Sequence, residues 1–296
     1  MTIFSLSRGG IDKKDEIEIS LKKVFPLLGF GTANLDGDIK EIVLKAIQSG
    51  YRLIDTAAVY GSEEKIGQAI REAISSGLVC REDLIIQTKL APNNHGYYKT
   101  IKGLEESLNR LCLDYIDVYL IHWPVSRGDE ETYREKNIET WQAFSEFKSK
   151  RQIRHAGVCN FLERHLLHLI DTGYGCPEIH QLELHPGYQQ RGLVRFCQER
   201  GMVIEAWSPM GRGILDSPKF VDIAAKYGKD IGQLALRFSI QKGFIPLTRS
   251  SNLNRIAGNM NIFDFDIQRE DMEELDMLNS NNGYMDIWSY KRQQMY

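Results

Sequence analysis

Paired cysteines are the first thing this chain lacks. Its five cysteines, Cys80, Cys112, Cys159, Cys176 and Cys197, are odd in number and widely spaced. None forms a Cys-x-x-Cys pair, so neither a metal site nor a disulfide scaffold is expected, and reduced thiols are the default. A long uncharged apolar run is also missing, which argues against a membrane-spanning helix. The opening Met-Thr-Ile-Phe-Ser-Leu-Ser-Arg-Gly-Gly has neither the basic start nor the apolar stretch of a secretory signal, so a cytoplasmic location is expected. With a formal net charge of −3 the chain carries no basic stripe, so a nucleic-acid partner is not expected. The local cluster Lys148, Lys150, Arg151 and Arg154 reads as a solvated helix end. A Gly-x-Gly-x-x-Gly turn is absent too, since Gly29-Phe30-Gly31-Thr32-Ala33-Asn34 fails that pattern at its last position.

What is present is a repeating alternation. Hydrophobic residues make up 42% of 296 residues, enough for a sizeable core. Short apolar runs rich in β-formers alternate with longer stretches of helical period. After residues 27–32, the stretch 38–49 puts Ile39, Ile42, Val43, Ala46 and Ile47 on one face and closes at Gly50. The run ending at Asp55 leads to a helix over 62–76 with Ser62 as its N-cap. Strands at 153–158, 179–184, 203–206 and 244–247 continue the scheme, with helices to about 170 and over 191–200 and 218–227. Short helices follow near 252–259 and 268–278. Eight such units without a break in composition predict a single α/β domain over residues 1–296, a parallel eight-stranded (β/α)8 TIM barrel. An open doubly wound sheet is the structural alternative. The residues before Pro26 are expected to form a hairpin or extension plugging the far end. The aromatic tail after Asn279, with Tyr284, Trp288, Tyr290 and Tyr296, is expected to cover the mouth.

Four polar residues stand at or just past the ends of these apolar runs. Asp55 follows Tyr51-Arg52-Leu53-Ile54, Tyr60 comes five residues later, Lys89 ends the run 84–88, and His122 follows 115–121. In a barrel of parallel neighbours all four gather at one mouth. Alone, Asp55 could be a strand-end cap, Tyr60 a half-buried loop aromatic and His122 a satisfied core histidine. A lysine ending an apolar strand is harder to set aside, because such strands rarely bury an unpaired charge. Together, a tyrosine beside a lysine, with an acid to hold the lysine and a histidine nearby, can protonate a carbonyl. A neighbouring ammonium is expected to lower the phenol's pKa from about 10.

Three of these residues, Asp55, Tyr60 and His122, lie in motifs that resemble the aldo-keto reductase superfamily, and the resemblance spans almost the whole chain. The first is 50–67, GYRLIDTAAVYGSEEKIG; the second 153–161, IRHAGVCNF; the third 249–259, RSSNLNRIAGN. Between them stand Ile121-His122-Trp123-Pro124 and Gln181-Leu182-Glu183-Leu184-His185-Pro186. The resemblance implies a TIM barrel, an NADPH/NADP cofactor with NADH as the alternative, and a small carbonyl substrate. It implies Tyr60 as general acid, Lys89 and Asp55 as the pair that tunes it, and His122 on the substrate oxygen.

On the cofactor side the resemblance implies Thr32 and Asp55 as cofactor-binding residues, with Asn160 and Gln181 on the nicotinamide carboxamide. Cys159 stands where serine is usual, and a thiol is a weak hydrogen-bonding group. Trp207 replaces the usual stacking tyrosine, and Ser208 and Met210 lie along the pyrophosphate. Arg249, Ser250 and Arg255 are phosphate-competent, which favours NADPH, and Asn259 meets the adenine. Pro246-Leu247-Thr248 and Gly258 depart from the usual pattern there. Ala33 and Ala91 suggest a roomy substrate pocket with Trp123 and Trp288 as walls, suited to aldehydes, with ketones or open-chain sugars as further candidates. A monomer is expected. Two other readings stand beside this one: a catalytically weak cofactor-binding relative with a regulatory or structural role, and a phosphate-handling barrel using Lys89 as nucleophile.

Overall fold

A computed structural model describes residues 25–126, 128, 131–211, 217–281 and 283. The expected N-terminal hairpin, the aromatic tail and Trp288 lie outside the described residues. Eight parallel strands close into a barrel in sequence order. They are β1 (Gly29–Gly31), β2 (Leu53–Asp55), β3 (Ile85–Leu90), β4 (Ile116–Ile121), β5 (Ile153–Cys159), β6 (Ile179–Glu183), β7 (Val203–Trp207) and β8 (Ile245–Thr248). The ring shuts where β8 returns to β1, with Gly29 opposite Leu247 and Phe30 opposite Thr248. The doubly wound alternative is thereby set aside.

Side-chain alternation along each strand then decides what lines the interior. Leu53, Ile85, Val118, Leu120, Ile179, Val203, Ile245 and Leu247 form one buried cluster inside the ring. Ile54, Ile86, Tyr119, Val158, Ile204 and Ala206, one step out of phase, join the larger cluster beneath the helices. The interior phase of the strands therefore also carries Asp55, Gln87, Lys89, His122, Cys159, Gln181, Glu205 and Trp207. Strand register sets two of these rows level, with Asp55 opposite Gln87, Cys159 opposite Gln181 and Gln181 opposite Glu205.

The helices are α1 (Ile39–Gln48), α2 (Glu63–Ser75), α3 (Tyr97–Leu111), α4 (Tyr133–Ser149), α5 (Glu163–Ile170), α6 (Arg191–Gln198), α7 (Pro218–Lys226), α8 (Ile231–Gln241), α9 (Leu253–Gly258) and α10 (Arg269–Asp276). Asp38 starts α1 by accepting from the backbone N–H groups of Lys40 and Glu41. Ser62 does not cap α2 with its side chain; its hydroxyl is buried 3.4 Å from that of Thr56. One helix, α8, is absent from the sequence reading. Its residues Leu234 to Ser239 are all buried, and only the narrow polar line of Gln233, Arg237 and Gln241 marks its helical period. Within the basic cluster near residue 150, Lys148 pairs with Glu178 at 2.5 Å and Arg154 with Asp117 at 3.3 Å. Among the described residues no helix is long and apolar enough to cross a membrane.

Candidate active site

Asp55 and Lys89 meet because β2 and β3 are neighbours in the ring and both residues point inward near its C-terminal end. Lys89 is fully buried, and its Nζ donates to Asp55 Oδ1 at 2.6 Å and to the Thr56 carbonyl at 2.9 Å. Burial alone would drive this ammonium towards neutrality. The Asp55 charge, supported by Tyr60, instead lifts its pKa above the ordinary lysine value. Lys89 therefore remains a cation at neutral pH.

Tyr60 ends the single 3-10 turn Ala58–Tyr60 after β2, and Gly61 follows it with φ of 67°. That left-handed turn suits glycine and swings the chain into α2. The Lys89 ammonium lies 5.3 Å from the Tyr60 ring centroid. One expectation is corrected here. Burial raises the phenol's pKa more than the lysine charge lowers it, and Asp55 adds to the rise, so the net direction is upward. Tyr60 is thus a protonated phenol at neutral pH, and the lysine limits the rise without reversing it.

His122 follows β4, with its ring 5.7 Å from that of Tyr60 in edge-on contact. It is buried, yet its Nδ1 has no hydrogen-bond partner among the described residues. A satisfied core histidine would not leave that atom bare. Burial first, then the charges of Lys89 and His95, hold its pKa well below the usual histidine value. It is a neutral imidazole in the working pH range.

Beneath these groups lies an amide network that the sequence reading missed in part. Gln87 and Gln181 each donate through Nε2 to both Asp55 Oδ1, at 2.8 and 3.1 Å, and Glu205 Oε2, at 2.7 and 2.8 Å. Gln181 Oε1 faces the Cys159 thiol at 3.6 Å. Neither Gln87 nor Glu205 belongs to a motif. Their only sequence signal is a polar residue inside an apolar strand, between Ile86 and Thr88 and between Ile204 and Ala206.

Asn160, in the left-handed region at φ of 63°, ties three strand ends together. Its Nδ2 donates to the His122 carbonyl and the Cys159 sulfur, both at 3.1 Å, and its Oδ1 accepts from Trp207 Nε1 at 2.9 Å. Trp207 is half-buried and so held at the rim rather than sunk in the core.

Comparison with known proteins accords with this geometry. The sequence profile described as the Aldo/keto reductase family matches residues 27–280. The chain belongs to the aldo/keto reductase family. It is 40% identical over 278 residues to the aldo-keto reductase AKR2E4 of Bombyx mori, covering 89% of this chain and 90% of that protein. The glyoxal reductase of Bacillus subtilis is 38% identical over 269 residues, covering 90% and 93% of the two chains. The crystal structure of the Bombyx mori protein in complex with NADP superposes with a TM-score of 0.84 at 36% identity, covering 91% of this chain and 94% of that one.

In this aldo-keto reductase the other candidate residues fall in two groups. Thr32 is buried, and its hydroxyl donates to the Asp55 carbonyl at 3.0 Å, next to the catalytic candidates. Ser208 follows β7 with φ of 50°. The Met210 side chain packs between two core clusters, and its terminal methyl and sulfur line the space beside Gly232 in α8. At the outer edge Arg249 is exposed and donates from Nη1 to the carbonyls of Ala33 and Asn34 at 2.8 and 2.9 Å. Ser250 accepts from the Asn252 backbone N–H, Arg255 is exposed, and Asn259 is buried, donating to the Thr248 hydroxyl at 2.9 Å. Trp123 is half-buried, with its ring 6.3 Å from that of His122.

These residues fit a nicotinamide dinucleotide. Among the described residues a bare imidazole nitrogen and an amide oxygen opposed only by a thiol stand at the inner end, and two exposed guanidinium groups stand at the outer end.

Proposed function

We propose that this protein is an NADP(H)-dependent reductase of aldehydes, converting them to primary alcohols, with ketones and open-chain sugars as further substrates. The observation that carries this reading is the buried Lys89–Asp55 pair beneath the ring of Tyr60, with a neutral His122 beside it. A bound nicotinamide would supply the hydride; the chain's residues handle the oxygen and the proton. As the carbonyl becomes an alkoxide, its oxygen turns into a base far stronger than a phenolate, so a protonated Tyr60 donates downhill. Lys89 stabilises the tyrosinate left behind, and Asp55 holds Lys89 in place. His122, being neutral, can donate one hydrogen bond to the oxygen without adding a charge that would compete with Lys89.

Asn160, Gln181, Cys159, Thr32 and Trp207 would hold the nicotinamide end. Ser208 and Met210 would lie by the pyrophosphate, and Arg249, Ser250, Arg255 and Asn259 at the adenosine end. Two guanidinium groups at the outer edge suit an added phosphate, which favours NADPH over NADH. The Bombyx mori relative holds NADP, and the name of the glyoxal reductase relative places a dialdehyde among the substrates of its kin. Both support the reading.

The test is NADPH oxidation with a panel of aromatic and aliphatic aldehydes, run beside NADH. Turnover with NADPH is expected, and Tyr60→Phe should lower kcat by about 10²–10⁴-fold while leaving cofactor affinity nearly unchanged. Full activity in that variant would reject Tyr60 as the acid. Tight NADPH binding with no turnover on any carbonyl would favour a regulatory or structural role instead.

A further inference from the structure

Glu205 sits in the middle of β7, fully buried inside the barrel. The groups facing it can be counted strand by strand. Asp55 comes from β2, Lys89 and the neutral Gln87 from β3, the Cys159 thiol from β5 and the neutral Gln181 from β6. On the β8 side its register partner is the apolar Ile245. Among the described residues these two carboxyl groups therefore share one cation, Lys89, which is bound to Asp55 at 2.6 Å. Among the described residues a second buried negative charge would have no counter-ion of its own.

The two amides record the same asymmetry. Asp55 is the ion-paired carboxylate and can only accept, so the Nε2 of each glutamine must face it. Both Nε2 atoms also donate to Glu205 Oε2. What remains is Glu205 Oε1 and Gln87 Oε1, both buried and without a donor among the described residues. Ionised, Glu205 would bring only another acceptor to this place. Protonated on Oε1, it brings a donor where the ionised form has none.

We propose that Glu205 is a positioning residue, which as a neutral carboxylic acid holds the amides of Gln87 and Gln181 against Asp55, and whose ionisation weakens proton donation by Tyr60. The proposal rests on the reading of Tyr60 as the acid. Burial first, and then the Asp55 charge, push the Glu205 carboxyl up to about 7, although both amides and Lys89 pull it down. With its proton lost, Glu205 adds a negative charge on the side of Asp55, whose own charge already raises the Tyr60 pKa. It also draws the two amides away from Asp55, loosening the acid that fixes Lys89. Only the proton on Glu205 changes hands, and it goes to solvent.

Glu205→Gln keeps the shape and removes the titration. In the wild type, kcat/KM for NADPH-driven aldehyde reduction should fall by about three- to tenfold from about pH 6 to about pH 8. In E205Q that inflection should vanish. An identical inflection in both proteins would overturn the proposal. A second readout needs no turnover: infrared spectra of the apoprotein labelled with ¹³C-glutamate should show a carboxylic-acid carbonyl band that fades as pH rises through about 7 and is missing in E205Q. Absence of that band in the wild type would overturn the proposal even if E205Q failed to fold. If the wild type reduces no carbonyl, the reading of function fails while the infrared band still decides the state of Glu205. If Tyr60-dependent turnover is found with an unchanged pH profile in E205Q, only Glu205's role fails.

Discussion

Cys159 lies at the nicotinamide end of the proposed cofactor site, where its surroundings decide its chemistry. It is buried, and burial pushes its thiol far above the ordinary range. A thiol that stays protonated is neither a nucleophile nor a strong hydrogen-bond donor. Cys80, Cys112 and Cys176 are exposed, so brief alkylation of the native protein should label those three and spare Cys159 in peptide mapping. Cys159→Ser should tighten NADPH binding by about two- to fivefold, the gain of a better hydrogen-bonding group, measured by fluorescence quenching. Weaker binding in the serine variant would mean that the sulfur's size matters more than its polarity. Asp55, Lys89 and His122 were legible as candidates because each closes an apolar run with a polar residue, and Tyr60 because it follows Asp55 in the same motif. Gln87 and Glu205 were not, since a polar residue inside such a run carries no sign of the partner waiting across the ring. The direction of the Tyr60 shift was missed for a related reason: sequence names the neighbouring charge but not the depth of burial that outweighs it.

At the scale of elements, the fit of α2 against α3 rests on one absent side chain. A Cβ on Gly67 would stand 2.3 Å from the Leu111 carbonyl oxygen and 2.7 Å from its carbon. Backbone cannot give way as a side-chain tip can, so Gly67→Ala should destabilise the protein on the order of 3 kcal/mol by forcing the two helices apart. Gly258, at the end of α9, has nothing within 4 Å of such a Cβ. Gly258→Ala should be neutral to slightly stabilising, since alanine is the better helix former, and it serves as the control in urea melts. Equal midpoints for the two variants would show that the α2–α3 contact is soft. In sequence, Gly67 was visible only as the last residue of a motif; its reason lies at the far end of the next helix. Helices with a single apolar face, such as α1, could be read directly. The helix α8 was harder, because burial along most of its length leaves only the narrow polar line of Gln233, Arg237 and Gln241 to mark it.

For the whole molecule, alternation of strands and helices gave the barrel, but closure and depth are properties of the complete ring, and acid stability follows from depth. His122, His165 and His180 are buried. Burial lowers all three, His165 and His180 to about 3. Two of them act as acceptors: His180 Nε2 takes the Phe161 N–H at 3.2 Å, and His165 Nδ1 takes the Leu162 N–H at 3.1 Å. Protonation would remove both acceptors. Below about pH 6.5 the unfolded chain therefore binds up to three protons that the folded protein refuses, and stability falls as pH falls, by up to about 4 kcal/mol per pH unit. Glu205 acts with the opposite sign. Its folded pKa is raised to about 7, so its contribution is fully present below the ordinary carboxylate pKa and is lost as pH rises through about 7. Melting temperature should climb steeply from about pH 4 to about pH 6.5 and then level off, with Glu205 blunting the upper part of the climb. In E205Q that blunting disappears, so the variant's stability relative to the wild type should grow between about pH 5 and pH 7, by on the order of 3 kcal/mol. Thermal melts of both proteins across that range decide the matter. A difference between them that does not change with pH would mean that Glu205 ionises as freely inside the barrel as it does in the unfolded chain.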